Sequence, residues 1–190
     1  MNKKEAKENS IVMKSLFVND YKVDIVLLRT DVEKIEKQFR ILVERNGQLK
    51  SMEITGSYYT PDEGFALPTG NQLFLMLNDQ LLLFDPETME ITKRAELDIL
   101  GTMIAAYPYK DDFILHGEIE ILRVNKELKV LWNFSGLDIF VRRSRNEQAI
   151  TFQEDRICLY DFYENYYEID YHGTLKRIVK KEHEVGFREI

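Results

Sequence analysis

The sequence predicts an all-β fold of about four antiparallel, multi-stranded units, each about 38–40 residues long. Three observations predict it. From Gln148 to Gly173 three short strand-like runs are divided by polar turns, Glu154-Asp155 and Tyr163-Glu164-Asn165. Period-two alternation with tight turns is the mark of β-hairpins. The apolar pair Ile157 and Leu159 recurs 38 residues back as Ile119 and Ile121, then as Leu81 and Leu83, and 40 residues further back as Ile41 and Val43. A hydrophobic content of 44%, with 12% aromatic residues, supplies a core for one folded domain in 190 residues.

In chain order, residues 1–9 form a charged, flexible terminus. A single domain follows over 10–190, with units at 11–55, 56–97, 98–136 and 137–173 and a tail at 174–190. Ile11–Val18 and Tyr21–Arg29 read as strands around an Asn19-Asp20 turn. The second is apolar on both faces, which points to burial on both sides. Asp31–Gln38 is a solvated loop in which a helical turn competes. Phe39–Glu44 and Leu49–Thr55 close the unit.

Gly56–Gly70 holds two of the four prolines and reads as a loop that displays Tyr58 and Tyr59. Leu73–Leu77, Gln80–Phe84 and Met89–Ala95 make the second unit, with Asp85-Pro86-Glu87-Thr88 as a turn whose proline fixes φ. The third unit runs from about Ile99 to Phe134, with Trp132 as a packing anchor. Leu137–Val141 opens the fourth and leads into the basic cluster Arg142, Arg143 and Arg145. Leu175–Glu184 is open between a strand and a short helix.

The last three units share a strand ending of one kind: Leu83-Phe84-Asp85, Ile121-Leu122-Arg123 and Leu159-Tyr160-Asp161. In this rhythm the chain resembles β-propeller repeat proteins of the quinoprotein-like and tryptophan–aspartate types. The resemblance spans about 14–173 and rests on pattern. Arg123 departs from the aspartate, and no repeated Trp-Asp or Gly-His pair occurs. It implies a small propeller-like ring of blades. An open β stack or a β-sandwich is the alternative. No catalytic residue carries over from it.

Charge bounds the partners. Residues 1–9 hold three lysines against two glutamates, and 173–190 hold five basic against three acidic residues; this leaves −10 between them, for a chain total of −7. An acidic body repels a phosphate backbone and suits a protein partner with a basic surface, so no nucleic acid is expected. No run approaches the apolar length of a membrane span, and a cytoplasmic protein is expected. The one cysteine, Cys158, excludes a disulfide framework and reads as a small buried hydrophobe.

Chemistry is sparse. His116, His172 and His183 form no HxH or HExxH spacing, and no GxSxG, GxxxxGK[ST] or GxGxxG motif occurs. No metal, cofactor or catalytic set is expected. Aspartates at hairpin turns read as turn chemistry. Phe162, Tyr163, Tyr166, Tyr167 and Tyr171 are too many for one core, and tyrosine-rich surfaces are enriched at interfaces. The candidate binding residues are therefore Tyr58, Tyr59, Arg142, Arg143, Arg145, Tyr163 and Tyr166. The expected function is a non-catalytic protein-binding module, such as a small bacterial toxin-neutralising or regulatory protein. The alternative is a carboxylate-dependent hydrolase or lyase acting on a polar substrate such as a glycan.

Overall fold

The computed structural model describes residues 10–61, 64–142, 144 and 147–181. Their regular structure is all strand. The first sheet joins β1 (Ile11–Val18), β2 (Tyr21–Asp31), β3 (Glu36–Arg45) and β4 (Gln48–Ser57). The second joins β5 (Ala66–Thr69), β6 (Gln72–Leu77), β7 (Gln80–Asp85) and β8 (Glu90–Glu96). The third joins β9 (Met103–Tyr109), β10 (Asp112–Gly117), β11 (Glu120–Val124) and β12 (Val130–Ser135). The fourth joins β13 (Ile150–Phe152), β14 (Arg156–Tyr160), β15 (Tyr166–Asp170) and β16 (Leu175–Val179). Each sheet is an antiparallel meander in sequence order. The ambiguous segment after Gly173 is thus strand β16, hydrogen-bonded to β15. The competing turn before Phe39 is a hairpin tip between β2 and β3.

Three apolar clusters hold the sheets in a row. Ile25, Phe39 and Ile41 of the first sheet pack against Leu73, Leu75 and Phe84 of the second. Phe74, Met76 and Leu81 of the second pack against Phe113, Leu115 and Val124 of the third. Ile114 and Ile121 of the third pack against Ile157, Leu159 and Tyr167 of the fourth. Alternate residues of one strand therefore serve opposite clusters. This is why β6 and β7 read as unbroken apolar runs, LFLML and LLLF. Phe74 and Phe113 stack across the middle gap at 4.0 Å between ring centres, worth about 1 kcal/mol beyond their burial.

The two end faces are charged instead. Lys22, Asp24, Arg40 and Glu53 occupy the outer face of the first sheet, with Arg40 bonded to Glu53 at 2.6 Å. Arg156, Glu168 and Arg177 occupy that of the fourth, with Arg156 2.9 Å from Glu168. Polar outer faces let a row of stacked units end in water. Among the described residues no apolar cluster joins the fourth sheet to the first. The four sheets are propeller-like in their succession and do not close into a barrel.

The repeat is real in the sheets, but its register differs from the sequence reading. Third-strand residues facing the following sheet are Ile41, Leu81 and Ile121, 40 apart, and the fourth-sheet equivalent is Tyr166, 45 further on. Ile157 and Leu159 lie on β14, the second strand, and Ile119 lies in a turn. The cause is the connection before the last sheet. It spans 136–149, whereas the two earlier connections span 58–65 and 97–102. The equivalent turns are those after the third strands. Asp85 accepts from Glu87 N, Asn125 from Glu127 N and Asp170 from His172 N, at 2.8–2.9 Å. A β-bulge precedes each, at Leu83/Phe84, Arg123/Val124 and Glu168/Ile169.

Arg123, which in this register matches Leu83 rather than an aspartate, ties the third sheet to the fourth. It pairs with Asp112 at 2.6 Å, donates to Tyr171 O at 2.9 Å and lies over the Tyr109 ring. Trp132 donates its indole N–H to the same Tyr171 carbonyl at 3.0 Å. Leu137–Val141 forms no strand. Phe140 plugs the third cluster as a buried side chain, and its N–H donates to Glu118 O at 2.6 Å. No helix among the described residues is long and apolar enough to cross a membrane.

Candidate functional site

The first strands of neighbouring sheets converge, β1 against β5 and β5 against β9. Two openings meet along Ile104–Tyr107 of β9. One is a trough of ≈620 Å³ that runs along Thr102–Tyr107 and is rimmed by Tyr59 and Pro61. The other is a chamber of ≈320 Å³ between the third and fourth sheets, lined by His116, Phe140, Arg142, Glu147 and Gln148 among others. Ile104 and Tyr107 form a wall common to both.

The trough is built by the β4–β5 connection. Tyr58 and Tyr59 meet edge to face at 5.3 Å. Lys37 lies over Tyr58 and donates to Thr60 O at 3.1 Å. Tyr59 is left 55% exposed. On the opposite wall, burial pushes the Tyr107 phenol above its ordinary pKa, and its ring packs on Phe152 at 4.9 Å.

The chamber is built by the long connection before β13. Arg142 Nε donates to Glu147 Oε2 at 2.8 Å, and its Nη2 bonds the same oxygen. The guanidinium lies 4.4 Å from the centre of the Tyr160 ring, which meets the Tyr166 ring at a 45° tilt. Arg142 Nη1 is buried without a hydrogen-bond partner. His116 stands where the first and second sheets place buried Ile25 and Met76. Its Nε2 lies 2.8 Å from Phe140 O. A carbonyl only accepts, so Nε2 carries the proton and Nδ1 is left as a buried acceptor without a partner. Burial lowers the pKa of this imidazole, against the opposing pull of the Phe140 carbonyl.

The expected binding residues distribute as follows. Tyr59 and Arg142 reach the two adjoining openings, with Tyr58 supporting Tyr59. Tyr166 is on the outer face of the fourth sheet, where its hydroxyl donates to Glu168 at 2.9 Å and contacts Cys158 Sγ at 3.2 Å. Burial and the Glu168 carboxylate raise its pKa. Tyr163 is in the β14–β15 turn against Phe162 and is not among the residues lining either opening. Arg143 and Arg145 lie outside the described residues. Sequence reasoning missed Tyr107, and it met His116 only as a possible metal ligand. A polar residue at an apolar repeat position was the available signal for His116, but it needs the correct register to be seen.

The aspartates work as turn and pairing groups. Asp161 is fully buried and accepts from Asn165 N, Asn165 Nδ2 and Tyr167 Oη at 2.7–2.9 Å. Tyr167 Oη accepts in turn from Leu137 N at 2.9 Å, which anchors the long connection. No group of three or more His, Cys, Asp or Glu gathers as a metal site among the described residues, and His172 is exposed in the β15–β16 turn. The sequence matches no protein-family model and no curated protein.

Proposed function

We propose that the protein is a non-catalytic, cytoplasmic binding module built from propeller-like units, which captures a protein partner along the β9 trough and its adjoining chamber. The observation that supports this best is the common wall. Ile104 and Tyr107 join an exposed tyrosine rim to an arginine-bearing chamber. Tyrosine and arginine beside apolar backbone are the residues that dominate protein interfaces. The acidic body favours a partner with a basic surface, and a regulatory or toxin-neutralising role fits such a partner.

The hydrolase alternative needs two free carboxylates across one cleft. A polar cleft of ≈650 Å³ between the second and third sheets contains Asp111, Asp112 and Glu127. Arg123 neutralises Asp112, and Lys93 neutralises Glu127. In the chamber the carboxylate is Glu147, held by Arg142. These pairings favour binding over acid–base catalysis.

The test is capture by the tagged protein from its host's lysate, with the wild type beside a Tyr59→Ser, Arg142→Met variant. A single stoichiometric protein, lost from the variant and weakened as salt rises, supports the proposal. Equal recovery by both proteins contradicts this surface.

A further inference from the structure

His116 is joined to the connection before β13 through Nε2, which lies 2.8 Å from Phe140 O. Its other ring nitrogen, Nδ1, is buried without a hydrogen-bond partner. In the neutral ring this leaves one acceptor unpaired. A second proton would put a charged N–H donor at the same shielded place, which is far more costly. The Nε2 contact by itself favours the charged ring, and burial outweighs it. The ring can therefore hold a second proton only if something that covers it moves.

The surroundings of the ring single out the element that moves. His116 is on β10, which is hydrogen-bonded to β9 on one side and β11 on the other, opposite Ala105 and Ile121. Neither of those residues ionises. From β9, Tyr107 offers a phenol that burial keeps neutral. From the fourth sheet, the Tyr167 phenol is spent on the buried Asp161 carboxylate. In the turn after β10, the Glu118 carboxylate accepts from Thr102 N. In the connection, Arg142 holds Glu147. Each of these carboxylates is engaged, and the Arg142 guanidinium adds positive charge to the chamber wall. The strands around His116 are fixed by their ladders, whereas between β12 and β13 no described residue lies in a strand or helix. Such segments open at lower cost than strands do.

We infer that His116 and the Phe140 carbonyl form an acid-released latch: protonation of His116 Nδ1 lifts Leu137–Arg142 from the third sheet and opens the chamber wall that Phe140, Val141 and Arg142 form. Phe140 keeps its apolar contacts with Phe134 and Tyr167, so acid raises the frequency of opening and does not detach the wall for good. The first and second sheets place buried, non-ionising Ile25 and Met76 where the third has His116. An ionisable group at an otherwise apolar repeat position is the kind of departure that marks function, and histidine is the side chain that titrates near neutrality. The latch is independent of what the trough captures.

The experiment is native-state amide hydrogen exchange on the whole protein at pH 7.5 and 5.5, followed by NMR in zero to low urea, with rates corrected for the chemical effect of pH. The Phe140 amide, bonded to Glu118 O, and the Leu137 amide, bonded to Tyr167 Oη, report the connection. Ile114 and Leu115 of β10 report the sheet. In the open form His116 has the ordinary pKa of 6.5, so opening becomes about tenfold more frequent between the two pH values. Protection at Phe140 and Leu137 falls by that factor and barely responds to urea, as local opening exposes little surface. Ile114 and Leu115 stay better protected and follow urea, as global unfolding does. His116→Gln keeps an N–H for the Phe140 carbonyl and cannot titrate; His116→Met restores the residue type of the second sheet. Either variant, once folded, shows no pH response at Phe140 and Leu137 beyond the chemical one. Connection amides that share the protection and urea response of β10 overturn the latch. So does local exchange that is unchanged between the two pH values, or a tenfold change that persists in the variants.

Discussion

His116 Nε2 lies 2.8 Å from the carbonyl oxygen of Phe140, and this contact fixes both the tautomer of the imidazole and the path of the connection before β13. Phe140 is held from both sides, since its N–H donates to Glu118 O. The same contact makes His116 an acid sensor. Its folded-state pKa is lowered from the ordinary 6.5 by burial. The unfolded state therefore binds the proton first, and stability is lost as pH falls below about 6.5 toward the folded value. Urea unfolding at pH 8, 6 and 5 is expected to show this loss in wild type and a flatter profile in His116→Met. Parallel profiles would count against His116 as the source.

A second acid window belongs to Asp170. Hydrogen bonding from Lys176, together with Thr174 N and His172 N, holds its carboxyl down at about 2. Because the folded pKa is the lower one, its contribution is present above about 3.8 and is lost as pH falls toward 2. Asp170→Asn should reduce stability at pH 5 and leave the His116 window unchanged. The carboxylate is half-buried at the surface and its partner Lys176 is exposed to solvent, so the effect is small. A shift in the window near pH 6 would show that the two groups are coupled.

Gly173 has φ +80°, and a Cβ built there would lie 2.7 Å from the Trp132 ring. Gly47 has φ +76° with open space around it. Gly47→Ala therefore meets backbone strain alone, about 1–2 kcal/mol. Gly173→Ala adds a clash with the chain's one tryptophan. It should be destabilised by at least about 1 kcal/mol more, with altered tryptophan fluorescence in the folded state. Equal losses for the two substitutions would deny the close approach of Trp132.

Tyr167→Phe removes one of three donors from the buried Asp161 carboxylate and releases Leu137 N. Burial and Asp161 raise the phenol to a pKa of about 12, so it stays a donor at all working pH values. The expected cost is about 1–3 kcal/mol, with faster amide exchange at Leu137. A neutral substitution would mean that water replaces the phenol without loss.

Much of this architecture is written locally. Alternation and turn residues mark β1, β2 and the three strands between Gln148 and Gly173, and these form within a residue or two of their expected limits. Strand β5 was hidden because Ala66–Thr69 is short, contains Pro68 and sits among loop residues. The fourth unit was placed in the wrong register because a fixed period cannot anticipate the longer connection at 136–149. That error also hid His116, whose oddity appears only beside Ile25 and Met76. The packing of Arg142 on Tyr160 depends on how that connection folds back, and no local pattern encodes it.

The central claim, capture of a protein along the β9 trough, is tested most directly by site-specific photo-crosslinking in host cells. A benzophenone amino acid replaces Tyr59 at the rim, or Leu49 at the exposed start of β4, away from the trough. The account predicts one discrete protein adduct from position 59 and none from position 49. Adducts of equal yield from both positions, or none from position 59, would contradict it.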